Sequence, residues 1–392
     1  MTREEYLAIA GKRYDELQLL NKIDNFYDYE KDFSHIMNDM GKEILEKNLS
    51  DVPADRRKKK TLTRYGQIAI ANQHPFSEGK NGFQISPLLQ ETMVYVGQME
   101  CYENGSEVLK KLSGVEVGAT QIFRVTDYYG KGVAGSVNAE RTLTPLKQDE
   151  VLYAGVDGSM VQTREEGWKE VKLGRLFKSS DCIHAGSKPG WISNSQYVAH
   201  LGTSKDFTAT MDSLIDSYGR LGKRLLFLSD GAVWIKNWVQ DAFPDAVLIL
   251  DYYHACEYLH QFSSSFFKDK NKEQQWTDQQ KELLLESGVE QVIKNIIAMA
   301  PQNQEADKVI GYYQSNKERM DYKKYAQLGC GIIGSGAIES AHRTVIQERM
   351  KLSGQRWSLK GAQNILNLRV LNKNNQWSKI VQISKTGIKA AA

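Results

Sequence analysis

The sequence predicts an α/β protein: a mixed β-sheet with helices on its faces, interrupted by an α-helical insertion and preceded by a mainly helical N-terminal region. Three observations predict it. Strand-like segments follow one another directly after Gln148, helical and strand-like segments then alternate to about residue 260, and residues 1–60 space their apolar side chains at helical intervals. At 392 residues the chain is too long for one small core and should divide into two or three domains.

In chain order, Leu17, Leu20, Ile23, Phe26 and Tyr27, then Ile36, Met37, Met40, Ile44 and Leu45, recur at helical spacing and define a helical segment over residues 1–60. In the following region, residues 61–147, TRYGQIAIAN partly alternates as an exposed hairpin does. Ser86-Pro87 then opens a helix, with Ser86 as N-cap and Pro87 at its first position. Residues 106–112 (SEVLKKL) and 120–129 (TQIFRVTDYY) flank the Gly-containing turn SGVEVGA. That is the outline of a helix-turn-helix, whose second helix can enter the major groove of DNA; two short helices about a Gly turn are equally an everyday packing unit.

From Gln148 the pattern is β-rich. VLYAGVDGSMVQT reads as an apolar strand ending in Asp157, WKEVKLGRLF as a second strand and QYVAHLG as a third. SKDFTATMDSLIDSYGRLG is a helix with Ser204 as cap and Gly219 near its end, and KRLLFLSDGAVWI is a buried strand ending in Asp230. IKNWVQDAFP is a short helix stopped by Pro244, and DAVLILDYYHACEYL is a buried strand running into a helix. A polar, helical insertion over 261–325 separates residues 148–260 from 326–375, and 376–392 form a basic C-terminal tail.

A hydrophobic share of 41% with 25% charged residues is ordinary for a globular protein. No stretch approaches the ~20 apolar residues of a membrane span, so no membrane partner is expected. MTREEYLAIAGKRYDELQLL carries acids and no apolar block, unlike a secretory signal, which makes the cytoplasm the expected compartment. The four cysteines contain no CxxC pair, which argues against a zinc knuckle or a disulfide framework and for reduced thiols. The net charge of +3 hides an uneven distribution. Arg56, Arg57, Lys58, Lys59 and Lys60 form one basic run. Residues 343–389 carry Arg343, Arg349, Lys351, Arg356, Lys360, Arg369, Lys373, Lys379, Lys385 and Lys389 against the single acid Glu348. Either segment alone can be a solvated helix face; two together point to a polyanion such as DNA, and to association with the nucleoid.

Two buried strands each lead into Asp-Gly, in AGVDGS and FLSDGA. Ligands of open α/β sheets bind outside the carboxyl ends of the strands, so both carboxylates can project into one crevice, although Asp-Gly is also an ordinary turn. Oxygen-only ligands suit Mg²⁺ or Mn²⁺. A third acid completes a site for two such ions, and GSGAIESAHRTVIQERM supplies Glu339 in the first turn of a helix, with His342 and Arg343 one turn on. A basic pair beside an acid fits a site that also holds phosphate; a glutamate complementing the helix dipole is the plainer account.

The order AGVDGS, FLSDGA, DYYHACEYL, GSGAIESAHR, then a basic helix with RW and a closing NLR, resembles the DDE transposases of bacterial insertion sequences, in the Kra-type group related to Mutator elements. The resemblance spans residues 85–372. It implies a ribonuclease-H-like core with a helical insertion before the glutamate, and a catalytic, metal-holding triad of Asp157, Asp230 and Glu339. It also implies an accessory Asp251-x-x-His254 pair after the second aspartate. The expected activity is binding to terminal inverted repeats, cleavage of phosphodiester bonds, and joining of the freed 3′-OH ends to target DNA. Pairing two DNA ends implies a homodimer or a higher assembly. Read from the residues themselves, His254 either contacts a DNA phosphate or is a satisfied strand-end histidine. Arg356 and Trp357 either grip and stack on a flipped base or solvate and pack. Related transposases carry paired N-terminal cysteines that look zinc-binding, and this chain has only Cys101 there. DNA contact therefore falls to the helix-turn-helix, to Arg57 and Lys58–Lys60, and to Arg343, Arg349, Lys351, Arg356 and Trp357. Two other readings compete: a domesticated DNA-binding protein without catalysis, and a sugar-kinase-like ATPase whose second phosphate loop FLSDGA represents poorly.

Overall fold

Thr2 starts the first helix with a capping box: its hydroxyl accepts from Glu5 N (3.2 Å) and its own N–H donates to the Glu5 carboxylate (2.8 Å). In the computed structural model, which describes residues 1–50, 57–134, 144–185, 188–300 and 302–388, this helix is α1 (Arg3–Leu19). Ion pairs Arg13–Glu43 (2.9 Å) and Lys47–Glu5 (2.9 Å) join it to α2 (Phe26–Ser50). Arg56 and Lys389 lie outside the described residues, whereas Lys58, Lys59 and Lys60 form the start of β1 (Lys58–Thr63), paired antiparallel with β2 (Gly66–Ala71). Ser86 caps α3 (Pro87–Met99) with Pro87 in its first turn, as the sequence predicts. α4 (Tyr102–Ser113) and α5 (Ala119–Gly132) meet across left-handed Gly114, so the helix-turn-helix outline is present with both helices longer than predicted.

The chain divides into two compact units, residues 1–134 with 376–392, and residues 135–375. The expected basic tail is thus a helix, Ser378–Thr386, belonging to the first unit. Buried Tyr129 ties it in: its Oη hydrogen-bonds Gln90 Oε1 (3.0 Å) and Ser384 Oγ (3.1 Å) and accepts from Asn81 Nδ2 (3.0 Å).

The second unit is built on β3 (Leu152–Thr163), β4 (Gly167–Lys178), the small hairpin β5 (Cys182–Ala185) and β6 (Lys188–Ile192), β7 (Gln196–Leu201), α6 (Ser204–Asp216), β8 (Leu225–Ser229), α7 (Val233–Ala242) and β9 (Val247–Leu250). The main sheet has the order β7-β4-β3-β8-β9; β4 pairs antiparallel with β3 and β7, and β3–β8 and β8–β9 are parallel. This is the mixed α/β architecture that successive strands followed by alternating elements predict. The cap of α6 is Thr203, which accepts from Asp206 N (3.4 Å), one residue before the predicted Ser204. The predicted insertion is helical throughout its named elements: α8 (Tyr252–Phe266), α9 (Lys270–Glu286), α10 (Val289–Met299), α11 (Gln304–Asn316) and α12 (Tyr322–Tyr325). After it come α13 (Gly336–Ala341), a π-helical turn over His342–Gln347, α14 (Glu348–Met350) and α15 (Leu359–Lys373).

Alternation along the strands sorts the core onto two faces. Leu152, Ala154 and Val156 of β3 pack with Leu225 and Phe227 of β8 against α6 and α7. Tyr153, Leu226 and Leu228 face the other way, into the core supplied by α8 to α12. Gly155 belongs to this second face. A Cβ there would lie 3.2 Å from Ile338 Cβ, so the absent side chain is what lets α13 seat on the sheet. Overpacking of this kind costs about 1–3 kcal/mol. Gly155→Val is expected to lower the urea midpoint correspondingly with an unchanged m-value, and an unaltered midpoint would show that the contact with Ile338 does not constrain α13.

Candidate functional site

The first aspartate does not end its strand. β3 runs on to Thr163 because its antiparallel ladder with β4 continues to Thr163↔Gly167, whereas its parallel ladder with β8 covers only Leu152↔Leu225 to Gly155↔Leu228. Asp157 therefore sits mid-strand, just beyond the point where the neighbouring strand stops. Asp230 is the first residue after β8. Asp157 shares the face of β3 that holds Tyr153 and Gly155, and Asp230 follows β8, the strand that pairs with β3 as far as Leu228. Both aspartates therefore lie just past the carboxyl end of the parallel ladder.

Each is fixed by its own backbone. Asp157 Oδ1 accepts from Gly158 N (2.7 Å) and Asp230 Oδ1 from Ala232 N (3.0 Å), while Tyr312 Oη donates to the Asp230 carbonyl (3.1 Å). Glu339 is exposed on α13, the helix packed over the same face, and its Oε1 accepts from Ser335 Oγ. Among the described residues, no group of three or more His, Cys, Asp or Glu side chains is gathered tightly enough to hold a metal ion. Asp157, Asp230 and Glu339 do not close into a ligand cluster among the described residues.

His342 is 4% exposed, and its Nε2 lies 3.2 Å from Asp157 Oδ2. That contact is off the line a hydrogen bond needs, and neither ring nitrogen makes one. Arg343, which the sequence sets beside His342 on one side of a helix, is exposed instead. The two are adjacent, and successive residues of a helix point about 100° apart, so His342 meets the core while Arg343 turns outward. Buried Arg369 of α15 binds that turn from the outside. Its Nε donates to Val345 O (2.5 Å), its Nη2 donates to Thr344 O, and Glu348 lies 3.3 Å away. Burial lowers the Arg369 pKa to about 10.

Two residues that seat α13 were not singled out by sequence. Arg175 pairs with Gly155 across the β3–β4 ladder and reaches α13 by donating to Ala337 O (2.7 Å) and to Ser195 Oγ (2.9 Å). Burial lowers its pKa. The signal available was a lone arginine inside the apolar run KLGRLF. Ser335 is the second, since its N–H donates to Asp251 Oδ1 (3.0 Å). The same oxygen accepts from Tyr253 N (3.0 Å), which makes Asp251 the N-cap of α8 as well as the anchor of the loop entering α13. His254 turns to its own helix, with Nδ1 3.1 Å from Glu257 Oε2 and its ring against Tyr258 and Tyr312.

The basic candidates separate by exposure. Arg343, Lys351 and Arg356 are exposed. Lys351 feels the Asp157 charge, although burial is the stronger influence and lowers its pKa. Arg349 is only 1% exposed and lies over the Trp357 ring at 5.0 Å, and Trp357 donates from Nε1 to Met350 O (3.1 Å). Trp357 N and O also bond Gln162 O (3.0 Å) and Arg164 N (2.8 Å), so the Arg-Trp segment is laced to the far end of β3. Arg349 and Trp357 are packing residues in this arrangement, because both side chains are enclosed. Arg57, Lys58, Lys59 and Lys60 lie in the first unit, at the β1–β2 hairpin.

Residues 19–386 match the model of an Uncharacterised protein family, UPF0236. The chain belongs to this family. No curated protein matches it. The match covers both units, from the end of α1 to the helix Ser378–Thr386, so the family is defined by the acid-bearing sheet together with the helical region before it.

Burial holds the Asp251 pKa above its ordinary value against the hydrogen bonds from Ser335 and Tyr253. The folded chain therefore keeps this proton over a window where the unfolded chain has released it. Stability falls as pH rises from about 3.9 through the raised folded value. Asp251→Asn keeps an acceptor oxygen and removes the titration. Urea midpoints measured across that window should fall less steeply with pH in the variant, and identical slopes would remove Asp251 from the pH dependence.

Proposed function

We propose that this family member is a DNA transposase with a ribonuclease-H-like core. On this reading it binds the terminal inverted repeats of its own element, cleaves phosphodiester bonds and joins 3′-OH ends to target DNA. One observation carries the proposal: Asp157 and Asp230 lie just past the carboxyl end of the parallel β3–β8 ladder, and the helix of Glu339 packs on β3 through Gly155. The order of strands, the mixed pairing and the helical insertion between Asp230 and Glu339 support it. Asp157, Asp230 and Glu339 supply an oxygen-only donor set, which fits Mg²⁺ or Mn²⁺. Asp230 Oδ2 and Glu339 Oε2 lie outside the hydrogen bonds that fix their partner oxygens, and Asp157 Oδ2 lies 3.2 Å from His342 Nε2. Two such ions, when bound, supply activation of the attacking hydroxyl and charge for the leaving oxygen.

The chain's own residues do the rest. His342 packs against Asp157, with its Nε2 3.2 Å from Asp157 Oδ2, and Arg369 fixes the turn that carries His342. Arg343, Lys351 and Arg356 offer exposed cations for the DNA backbone on this unit, and Lys58 and Lys60, with half-buried Lys59 between them, do so on the other. Two DNA ends require two copies of the site, hence a homodimer or higher assembly acting in the nucleoid.

The test is incubation of purified protein with the DNA flanking its gene, with and without Mg²⁺. Metal-dependent cuts at inverted repeats are expected, abolished in Asp230→Asn and Asp157→Asn. His342→Ala, acting through Asp157, should lose about 10–100-fold. Tight binding to the ends without cutting under Mg²⁺ or Mn²⁺ would replace this proposal with a DNA-binding protein lacking catalysis. Hydrolysis of ATP in place of DNA cleavage would assign the acids to a different reaction.

Phosphate contacts show in salt dependence. Replacing Arg343, Lys351 or Arg356 singly with Ala should weaken binding across sequences and reduce the slope of log K against log salt by about 1 each. Arg349→Ala should act on stability instead, and a full unit lost from its slope in a folded variant would contradict the burial assignment.

A further inference from the structure

Of the four cysteines, two that lie 148 positions apart are in contact: Cys330 Sγ is 2.7 Å from Cys182 Sγ. Cys182 opens β5, immediately after β4, and Cys330 lies in the loop that leads to α13. The local backbone fixes both. Cys330 is held between Gly329 (φ +56°) and Gly331 (φ +74°), conformations that a side chain would strain. At Gly329 a Cβ would also lie 2.3 Å from Val151 Cγ2. The Cys330 N–H donates to Tyr153 Oη (3.1 Å), and that hydroxyl donates to Leu328 O (2.8 Å). Tyr153 is itself buried and stacked on Phe177. The Gly-Cys-Gly turn is therefore pinned to β3, and its thiol lies against that of Cys182.

The pair opens on a cleft of about 550 Å³ lined by both cysteines, Arg175, His184, Trp191 and Tyr253. A cavity of that size admits a small molecule, and the Arg175 guanidinium gives it a cationic wall, which favours thiolate and attracts anionic reagents. Sharing a hydrogen bond with Cys182 lowers the Cys330 pKa to about 7, whereas the same contact and burial push Cys182 up. The other two thiols lack this setting. Cys256 is buried, with a pKa raised to about 11 by burial, and Cys101 opens α4 in the other unit.

We propose that Cys182 and Cys330 are a modification site, a dithiol that a small anionic disulfide of the glutathione type converts reversibly to an intramolecular disulfide. The Cys330 thiolate attacks one sulfur of the oxidant, whose S–S bond breaks and releases one thiolate, leaving a mixed disulfide on Cys330. Cys182 then loses its proton and attacks Cys330 Sγ. The Cys182–Cys330 bond forms as the mixed disulfide breaks, and the second small thiol departs. The protein dithiol is oxidised by two electrons, and one oxidant disulfide is reduced to two thiols. The new bond ties the β5–β6 hairpin to the loop entering α13, so the oxidised and reduced forms differ in the freedom of the segment that carries Glu339.

The experiment uses the full chain in EDTA-containing buffer, exposed to oxidised glutathione, alkylated and digested for mass spectrometry. Free thiols should fall from four to two as this one pair joins, with a peptide linking Cys182 to Cys330 that dithiothreitol abolishes. In Cys182→Ser the resolving sulfur is gone, so Cys330 should accumulate glutathione instead. The wild-type result stands whether or not a variant folds. Four thiols retained after oxidation, a stable glutathione adduct on Cys330 of the wild type, or a bond involving Cys101 or Cys256 would each overturn the assignment.

Discussion

The parallel ladder between β3 and β8 stops after Gly155↔Leu228, while the β3–β4 hairpin runs on to Thr163. That mismatch in length makes the crevice. It exposes the second face of β3 just where Asp157 stands, and Asp230 is the first residue after β8. A one-residue slip would turn either acid to the opposite face, into the apolar layer against α6 and α7. Register is locked against that slip by the alternation of Leu152, Ala154 and Val156 with Tyr153 and Gly155, since each set has its own helices to pack against. Everything else at the site is arranged around this edge: Arg175 and Gly155 seat α13, Asp251 anchors its entry, and Arg369 binds the turn that follows it.

Asp251 and Arg369 show how the support differs in kind from the acids it supports. Both are buried polar groups, and each satisfies backbone groups that loops and irregular helices leave over. An unpaired buried donor or acceptor costs about 1–3 kcal/mol. These side chains therefore specify backbone geometry, and their charges are incidental to it. The acids proposed for chemistry are the reverse case, with one oxygen tied to local backbone or to a neighbouring hydroxyl and the other turned outward.

Strand and helix periodicity made the mixed sheet, the helical insertion and the helix-turn-helix outline legible in the sequence, because each depends on which side chains meet the core. The two Asp-Gly segments were legible for the same reason, although Asp157 was read as a strand end. AGVDGS looks alike whether a strand stops or loses one neighbour, and only pairing distinguishes the two. What escaped depends on contacts between distant segments. That His342 is buried and Arg343 exposed depends on which side of their helix meets the core. Arg349 reads as a surface cation until Trp357 closes over it. Cys182 and Cys330 look like scattered thiols until the sheet and the loop before α13 bring them together.

The spacing of the acids along the chain has a consequence for the timing of synthesis. Domains form from the N-terminal end as a chain is made, at about 5–20 residues per second. Asp157 and Asp230 are both made once β8 has emerged, but Glu339 follows only after α8 to α12. A ribosome stalled between β9 and Glu339 yields a chain with the sheet strands and two aspartates, yet no third acid. On the proposed function, the nuclease is armed only after the first helical region and the helices that separate the second and third acids have been made.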